Sequence, residues 1–245
     1  MLAKIKKFIL DTLFPVSCLS CGKPDEWICE ECFSKIPSLR DQVCPWCEKI
    51  PTPEGRVCFA CRKKSSLDGL LVASSYQNKL VAAAVHHYKY HFLENLSLPL
   101  GRILIQAILD SGSPLPDMIV PVPLHPRRLR WRGFNQAGLL ADYLSSNLTP
   151  GFAIPVFNNL IVRQRYTPPQ MKIKNYSRRN KNIENAFGIN KKEYGKKFLE
   201  SKHILLVDDI ATTGATLFEC ASVLKKAGAK VVFATVIARQ EYSKK

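Results

Sequence analysis

Two adjacent carboxylates, Asp208 and Asp209, follow the apolar run Ile204-Leu205-Leu206-Val207 and precede Ile210-Ala211-Thr212-Thr213-Gly214-Ala215-Thr216. The apolar run reads as a buried strand, and Thr216–Ala227 as a helix. Parallel α/β sheets place ligands at the carboxyl ends of their strands. Here that end carries the two acids. The loop beyond them offers the free N–H groups of a helix start and the hydroxyls of Thr212, Thr213 and Thr216. With Ala211, Ala215 and a glycine, Gly214, that lets backbone approach closely, it forms an anion cradle. The chemistry fits a ribose 5-phosphate. The cradle would take the phosphate. Asp208 and Asp209 would accept from the 2- and 3-hydroxyls and help fix Mg2+ carried by a diphosphate. A plain acidic turn before a helix capped by Thr213 or Thr216 would explain the threonines. It would not explain paired carboxylates at a strand end. Other phosphate motifs fail: Gly133 and Gly138 have P-loop spacing, but Leu139 stands where lysine is needed, and there is no GxGxxG.

A second group is basic. Arg127, Arg128, Arg130 and Arg132 fall within six residues, beside Trp131 and Phe134, after the Pro-rich stretch Val120–Pro126. Asn135 and Gln136 follow. A strand ending in a stiff turn is expected here. Such an array could neutralise the charge that builds on a departing diphosphate. Single-stranded nucleic acid could use the same groups, its bases stacked on the aromatics. A solvated basic turn is the plainer alternative. Arg163, Arg165, Gln170 and Arg179 add donors further on. Residues 164–202 hold eleven Lys and Arg against three Glu, which suits either a loop over a site or a solvated segment.

Cysteines form the third group. Eight of nine fall in CxxC pairs: Cys18/Cys21, Cys29/Cys32, Cys44/Cys47 and Cys58/Cys61. A CxxC knuckle presents two thiolates to one tetrahedral ion, and two knuckles complete a four-sulfur zinc site. Two structural Zn2+ sites follow. Cross-brace pairing would alternate the knuckles. The Cys47–Cys58 spacing suits a zinc ribbon and favours sequential pairing. With few large apolar residues nearby, metal would supply much of the folding energy. Redox disulfides would not need four regular pairs. Cys220, alone in the last helix, reads as a small buried apolar residue. His86, His87 and His91 share one helix but lack an evident further ligand, and read as ordinary histidines.

These groups need a scaffold. A chain of 245 residues with 46% hydrophobic content can build a real core, which excludes global disorder. Its formal charge of +16 suits polyanionic partners: phosphates, nucleic acid or an anionic membrane. No apolar run reaches the length of a transmembrane helix, and no secretory signal is convincing, so a cytoplasmic setting is expected. Residues 1–14 read as an amphipathic helix, with Leu2, Ile5, Ile9 and Leu13 on one face. Docking on its own protein is favoured over peripheral membrane contact. Residues 15–66 read as a double zinc ribbon and 67–245 as an α/β domain. In that domain strands are expected at Leu70–Ser75, Met118–Val122, Leu160–Arg163, Ile204–Val207 and Lys230–Ile237. Helices are expected at Asn78–Tyr90, Leu98–Leu109, Gln136–Ser146 and Thr216–Ala227. Alternating elements imply a mostly parallel sheet flanked by helices.

The 204–216 segment resembles the phosphoribosyl diphosphate loop of type I phosphoribosyltransferases. Taken with the CxxC array, the Lys89-Tyr90 pair, VPVPLHPRR, RGFNQA, Thr167-x-x-Gln170 and Arg179-x-x-Asn182, the chain resembles the competence protein F family. The motifs span most of the sequence in order. The pattern departs over Lys174–Ser177, where the family is more acidic, and in a one-residue insertion before Asn182. The resemblance implies a zinc domain joined to a phosphoribosyltransferase domain and a site for phosphoribosyl diphosphate with Mg2+. In that site Asp208 and Asp209 would orient the sugar, and Arg127 and Arg128 would stabilise departing diphosphate. Arg132, Asn135, Gln136, Arg163, Arg165, Gln170 and Arg179 would be hood or DNA contacts. It also implies a role in natural transformation, with single-stranded DNA and a competence helicase as candidate partners. Two functional classes remain: an enzyme with an unidentified acceptor, and a DNA-binding module in which the sugar-phosphate site is regulatory.

Overall fold

The structure is a computed structural model that describes residues 16–167, 183–195 and 197–240. The expected helix at 1–14, and Gln170, Arg179 and Asn182, lie outside the described residues.

Four strands form one parallel sheet in the order β1-β6-β5-β2: β1 (Gly69–Ser75), β2 (Met118–Pro121), β5 (His203–Ala211) and β6 (Val231–Arg239). Covered on both faces, they are apolar almost throughout, as parallel strands must be. On one face Leu71, Ile119, Leu205 and Val207 pack under α2 (Lys79–Tyr90), α3 (Ser97–Ser111) and α5 (Gln136–Asn147). On the other, Leu70, Val120, Leu206 and Val236 pack under α6 (Ala215–Lys226). Local chemistry sets the helix ends. The Asn78 side chain accepts from the amides of Leu80 and Val81, starting α2. Gly112 ends α3 in the left-handed region, at φ 65°.

Three elements differ from the sequence expectation. Strand β5 does not stop at Val207; it runs through both acids to Ala211, paired to β6 along the way. The expected stiff turn after β2 is a short helix, α4 (Pro126–Arg132), with proline at its first position and the His125 ring accepting from the Arg127 amide. The expected strand at 160–163 does not join the main sheet. As β3 (Ile161–Arg163) it pairs antiparallel with β4 (Phe187–Ile189), a strand without a sequence signal.

The cysteine-rich segment packs against the sheet. Its first part, with the short helix α1 (Glu30–Phe33), lies on α3. There Arg102 bonds both oxygens of Glu30, at 2.8 and 2.9 Å, and covers the Phe33 ring at 4.1 Å. Its second part lies along the edge strand β1. The Gln42 side-chain amide both donates to and accepts from the Val72 backbone at 3.0 Å, so a side chain completes hydrogen bonds that an edge strand would leave open.

Candidate functional site

At the carboxyl ends of β2 and β5 lies a cleft with a cavity of about 170 Å³. Its floor is the carboxylate pair. Asp209 is buried at 5% exposure, and its carboxylate meets the Lys89 ammonium at 2.9 Å. The same carboxylate accepts from the Ile210 amide at 2.7 Å. Asp208, beside it, accepts from the Asp209 amide at 2.9 Å. Burial and the charge of Asp209 push the Asp208 carboxyl up to about 8, against the pull of Lys89. Burial opposes the charge on Lys89, but Asp209 and then Asp208 outweigh it and hold its pKa above the lysine range.

One wall is the turn after β5. Thr212 and Thr216 line the cleft, whereas Thr213 is buried, its hydroxyl accepting from the Ala215 amide at 3.3 Å. Neither Thr213 nor Thr216 caps α6. The capping position belongs to Gly214, at φ 75°, without a side-chain bond. A Cβ there would meet the Phe218 ring at 3.0 Å, so glycine is needed on two counts.

The opposite wall is cationic. Arg128, Arg132, Arg163, Asn135 and Gln136 line it. Arg128 donates to the Thr167 carbonyl at 2.8 Å, and Arg163 to the Thr167 hydroxyl. Arg132 donates to the Gln136 side chain at 2.9 Å, and Asn135 to the Val122 carbonyl at 3.1 Å. On this wall three buried donors are unmatched among the described residues: Arg132 Nε, Gln136 Nε2 and Arg163 Nε. Burial, then the charge of Arg128, lowers Arg163 to about 10. Burial also lowers Arg128, against the help of Tyr166. Concentrated guanidinium charge with orphaned N–H groups calls for an anion.

Other residues singled out in the sequence lie apart from this wall. Arg127 is exposed and does not line the cleft; its guanidinium lies 5.4 Å from the centre of the Tyr166 ring. Arg165 is exposed and donates to the Glu184 carbonyl at 2.6 Å. Conversely, Lys89 enters the site without a role having been read for it. Its only sequence signal was the Lys89-Tyr90 pair. Tyr76 and Tyr90 line the cleft as well.

The cysteines gather in sequence order. Cys18, Cys21, Cys29 and Cys32 form one group, Cys44, Cys47, Cys58 and Cys61 the other, with sulfurs within 4.8 Å of one another in each. Four sulfurs about 2.3 Å from one ion lie about 3.8 Å apart. The Cys21–Cys29 sulfurs are 3.6 Å apart. Backbone amides donate to the sulfurs of Cys18 and Cys44, at 3.5 and 3.3 Å. The donor set fits two structural Zn2+ ions.

Residues 9–62 match the double zinc ribbon domain family, and residues 135–245 the phosphoribosyl transferase domain family. Fold and matches together define a phosphoribosyltransferase-like α/β protein with an N-terminal double zinc ribbon. The chain is 31% identical to DNA utilization protein YhgH of Salmonella typhi, over 89% of this chain and 94% of that one. Competence protein F of Haemophilus influenzae is also 31% identical, over 86% and 90%. Competence protein ComFC of Bacillus subtilis is 30% identical, over 84% and 81%. The chain therefore belongs to the competence protein F family. No helix among the described residues is long and apolar enough to cross a membrane.

Proposed function

We propose that the cleft binds phosphoribosyl diphosphate with Mg2+, and that the chain acts in the cytoplasm on incoming single-stranded DNA during natural transformation. The observation that carries the first part is the set of orphaned Arg132, Gln136 and Arg163 donors facing a carboxylate pair across one cleft. A ligand with phosphates at one end and vicinal hydroxyls at the other meets both walls. The Thr212–Thr216 loop would hold the 5-phosphate. Asp208 and Asp209 would accept from the ribose hydroxyls and help hold Mg2+. That ion would supply neutralisation of diphosphate charge. Arg128, Arg132 and Arg163 would receive the diphosphate as the glycosidic bond breaks.

Calorimetry of the zinc-loaded protein with phosphoribosyl diphosphate and Mg2+ tests the site, and diphosphate release from the same sample tests turnover. Binding with release makes it a transferase. Binding alone leaves a sensing or DNA-handling module, or an acceptor not supplied. Absence of binding refutes the site.

The DNA part rests on the relatives' names and on the cleft's rim. Trp131 is 63% exposed and meets Phe92 edge-on at 5.2 Å. Tyr166 is bracketed by Arg127 and Arg128. Aromatics interleaved with arginines suit stacked bases and a phosphate backbone. Trp131→Ala should weaken oligothymidylate binding roughly 5- to 100-fold, the worth of one stacked base. Wild-type affinity should fall steeply with salt. A flat salt response, measured by fluorescence anisotropy, would remove this surface from consideration.

A further inference from the structure

The phosphate loop is held from outside by the second cysteine group, and the link is Arg239. This arginine ends β6, beside Ala211 in the sheet. Its guanidinium reaches in two directions. Nε donates to the Thr212 carbonyl at 3.3 Å, within the phosphate loop. Nη2 donates to the Glu48 carboxylate at 2.8 Å and to the Pro45 carbonyl at 3.5 Å. Both acceptors belong to the turn that carries Cys44 and Cys47. Glu48 directly follows Cys47, takes a left-handed backbone at φ 56°, and donates its amide to the Cys44 carbonyl at 2.9 Å. The turn that presents two sulfurs thus also fixes the carboxylate.

The same turn touches the loop's far side. Trp46, between the two cysteines, meets the Phe218 ring edge-on at 5.1 Å. Phe218 lies in the first turn of α6, its amide bonded to the Gly214 carbonyl at 2.9 Å. One knuckle therefore braces the loop at Thr212 and again at Phe218. In a trans peptide, holding the Thr212 carbonyl toward the guanidinium turns the Thr213 N–H away from it. Arg239 is largely shielded, at 13% side-chain exposure, so its bonds to the loop and to Glu48 are not those of a loose surface pair.

We infer that Arg239 is a positioning residue for the phosphate loop, transmitting to it the shape of the Cys44–Cys47 turn. The inference rests on the proposed sugar-phosphate site.

The test compares Arg239→Met, Arg239→Lys and Glu48→Ala in the full zinc-loaded chain. Amide hydrogen exchange over residues 211–216 is read without ligand, and phosphoribosyl diphosphate with Mg2+ is titrated separately. Arg239→Met and Glu48→Ala should each speed exchange at 211–216 about tenfold or more, the loss expected of a charge-assisted hydrogen bond. Exchange at 118–120 and 203–207 should not change. Affinity should fall by a similar factor, and Arg239→Lys should recover part of both. Unchanged exchange in Glu48→Ala would overturn the coupling, even if Arg239→Met disturbs the loop. If Arg239→Met fails to fold, Glu48→Ala decides alone. If the wild type binds no phosphoribosyl diphosphate, the site reading fails, while the exchange comparison still decides the positioning role.

Discussion

Lys89→Met removes the only cation in contact with the buried Asp209 among the described residues. The pair is tight, at 2.9 Å, with side-chain exposures of 17% and 7%. Breaking a buried pair by deleting one partner costs about 3–5 kcal/mol, because the remaining charge is left uncompensated. The lower end is expected here, since Asp208 beside Asp209 can take up a proton instead. Asp208 already titrates near 8, and Lys89 is one of the groups holding that value down. Losing the ammonium makes ionising Asp208 harder, so the penalty must grow as pH rises from 4 to 8. For a chain of this size, about 3 kcal/mol at pH 8 lowers the melting temperature by roughly 6–12 °C. At pH 5 the drop should be less than half that. Melting curves of zinc-loaded, Mg2+-free protein at both pH values give the measurement. Asp209→Asn on the Lys89→Met background should restore most of the loss, because the orphaned charge is gone. A pH-independent drop, or a double variant no more stable than Lys89→Met, would refute the reasoning.

Three further outcomes follow from the cleft and the cysteines. The folded pKa of Asp208 is about 8 against 3.8 for a free carboxyl, so the ionised group costs stability increasingly as pH rises between those values. Asp208→Asn should therefore melt higher than wild type at pH 8, match it near pH 4, and bind phosphoribosyl diphosphate at least tenfold more weakly in calorimetry. Arg128→Ala should weaken that binding about 10- to 100-fold, the worth of one charge-assisted contact, whereas Arg127→Ala, outside the cleft, should leave it within about twofold. Cys47→Ser should lower bound zinc by one ion per chain, by elemental analysis, with the ion at Cys18, Cys21, Cys29 and Cys32 retained.

What could be read from the sequence followed burial. The strands and helices of the main layers were visible because parallel strands covered on both faces run apolar. The four knuckles were visible because ligand spacing is local. Elements set by long-range contacts were not. β5 continues through two acids because it stays paired with β6, while Lys89, on another element, offsets the burial of Asp209. Hydrophobic patterning stops at Val207 and cannot register that. α4 has no buried residue, and its arginines and single proline gave no helical stripe. β4 is three residues long and exists through its partner β3. Arg127 and Arg128 were indistinguishable in sequence; helix geometry turns Arg128 into the cleft and Arg127 onto its rim.

The same geometry bears on what the cleft can bind. A site for a free anion alone would not place two carboxylates at its floor, since they would repel it. A site for a cation alone would not crowd Arg128, Arg132 and Arg163 opposite them. Within the protein each sign is only partly answered: Lys89 satisfies Asp209, Asp208 is held toward its neutral form, and Arg132 and Arg163 keep unmatched donors. A ligand that brings hydroxyl donors and a divalent ion to the acids, and phosphate oxygens to the arginines, answers both at once. Base stacking on Trp131 and Tyr166 does neither, because those rings lie at the rim and leave the carboxylate pair untouched. On the proposed reading, DNA on the rim and a sugar diphosphate in the cleft would therefore be separable occupants. The Asp208→Asn/Asp209→Asn variant should distinguish them, losing the sugar diphosphate while retaining oligothymidylate affinity.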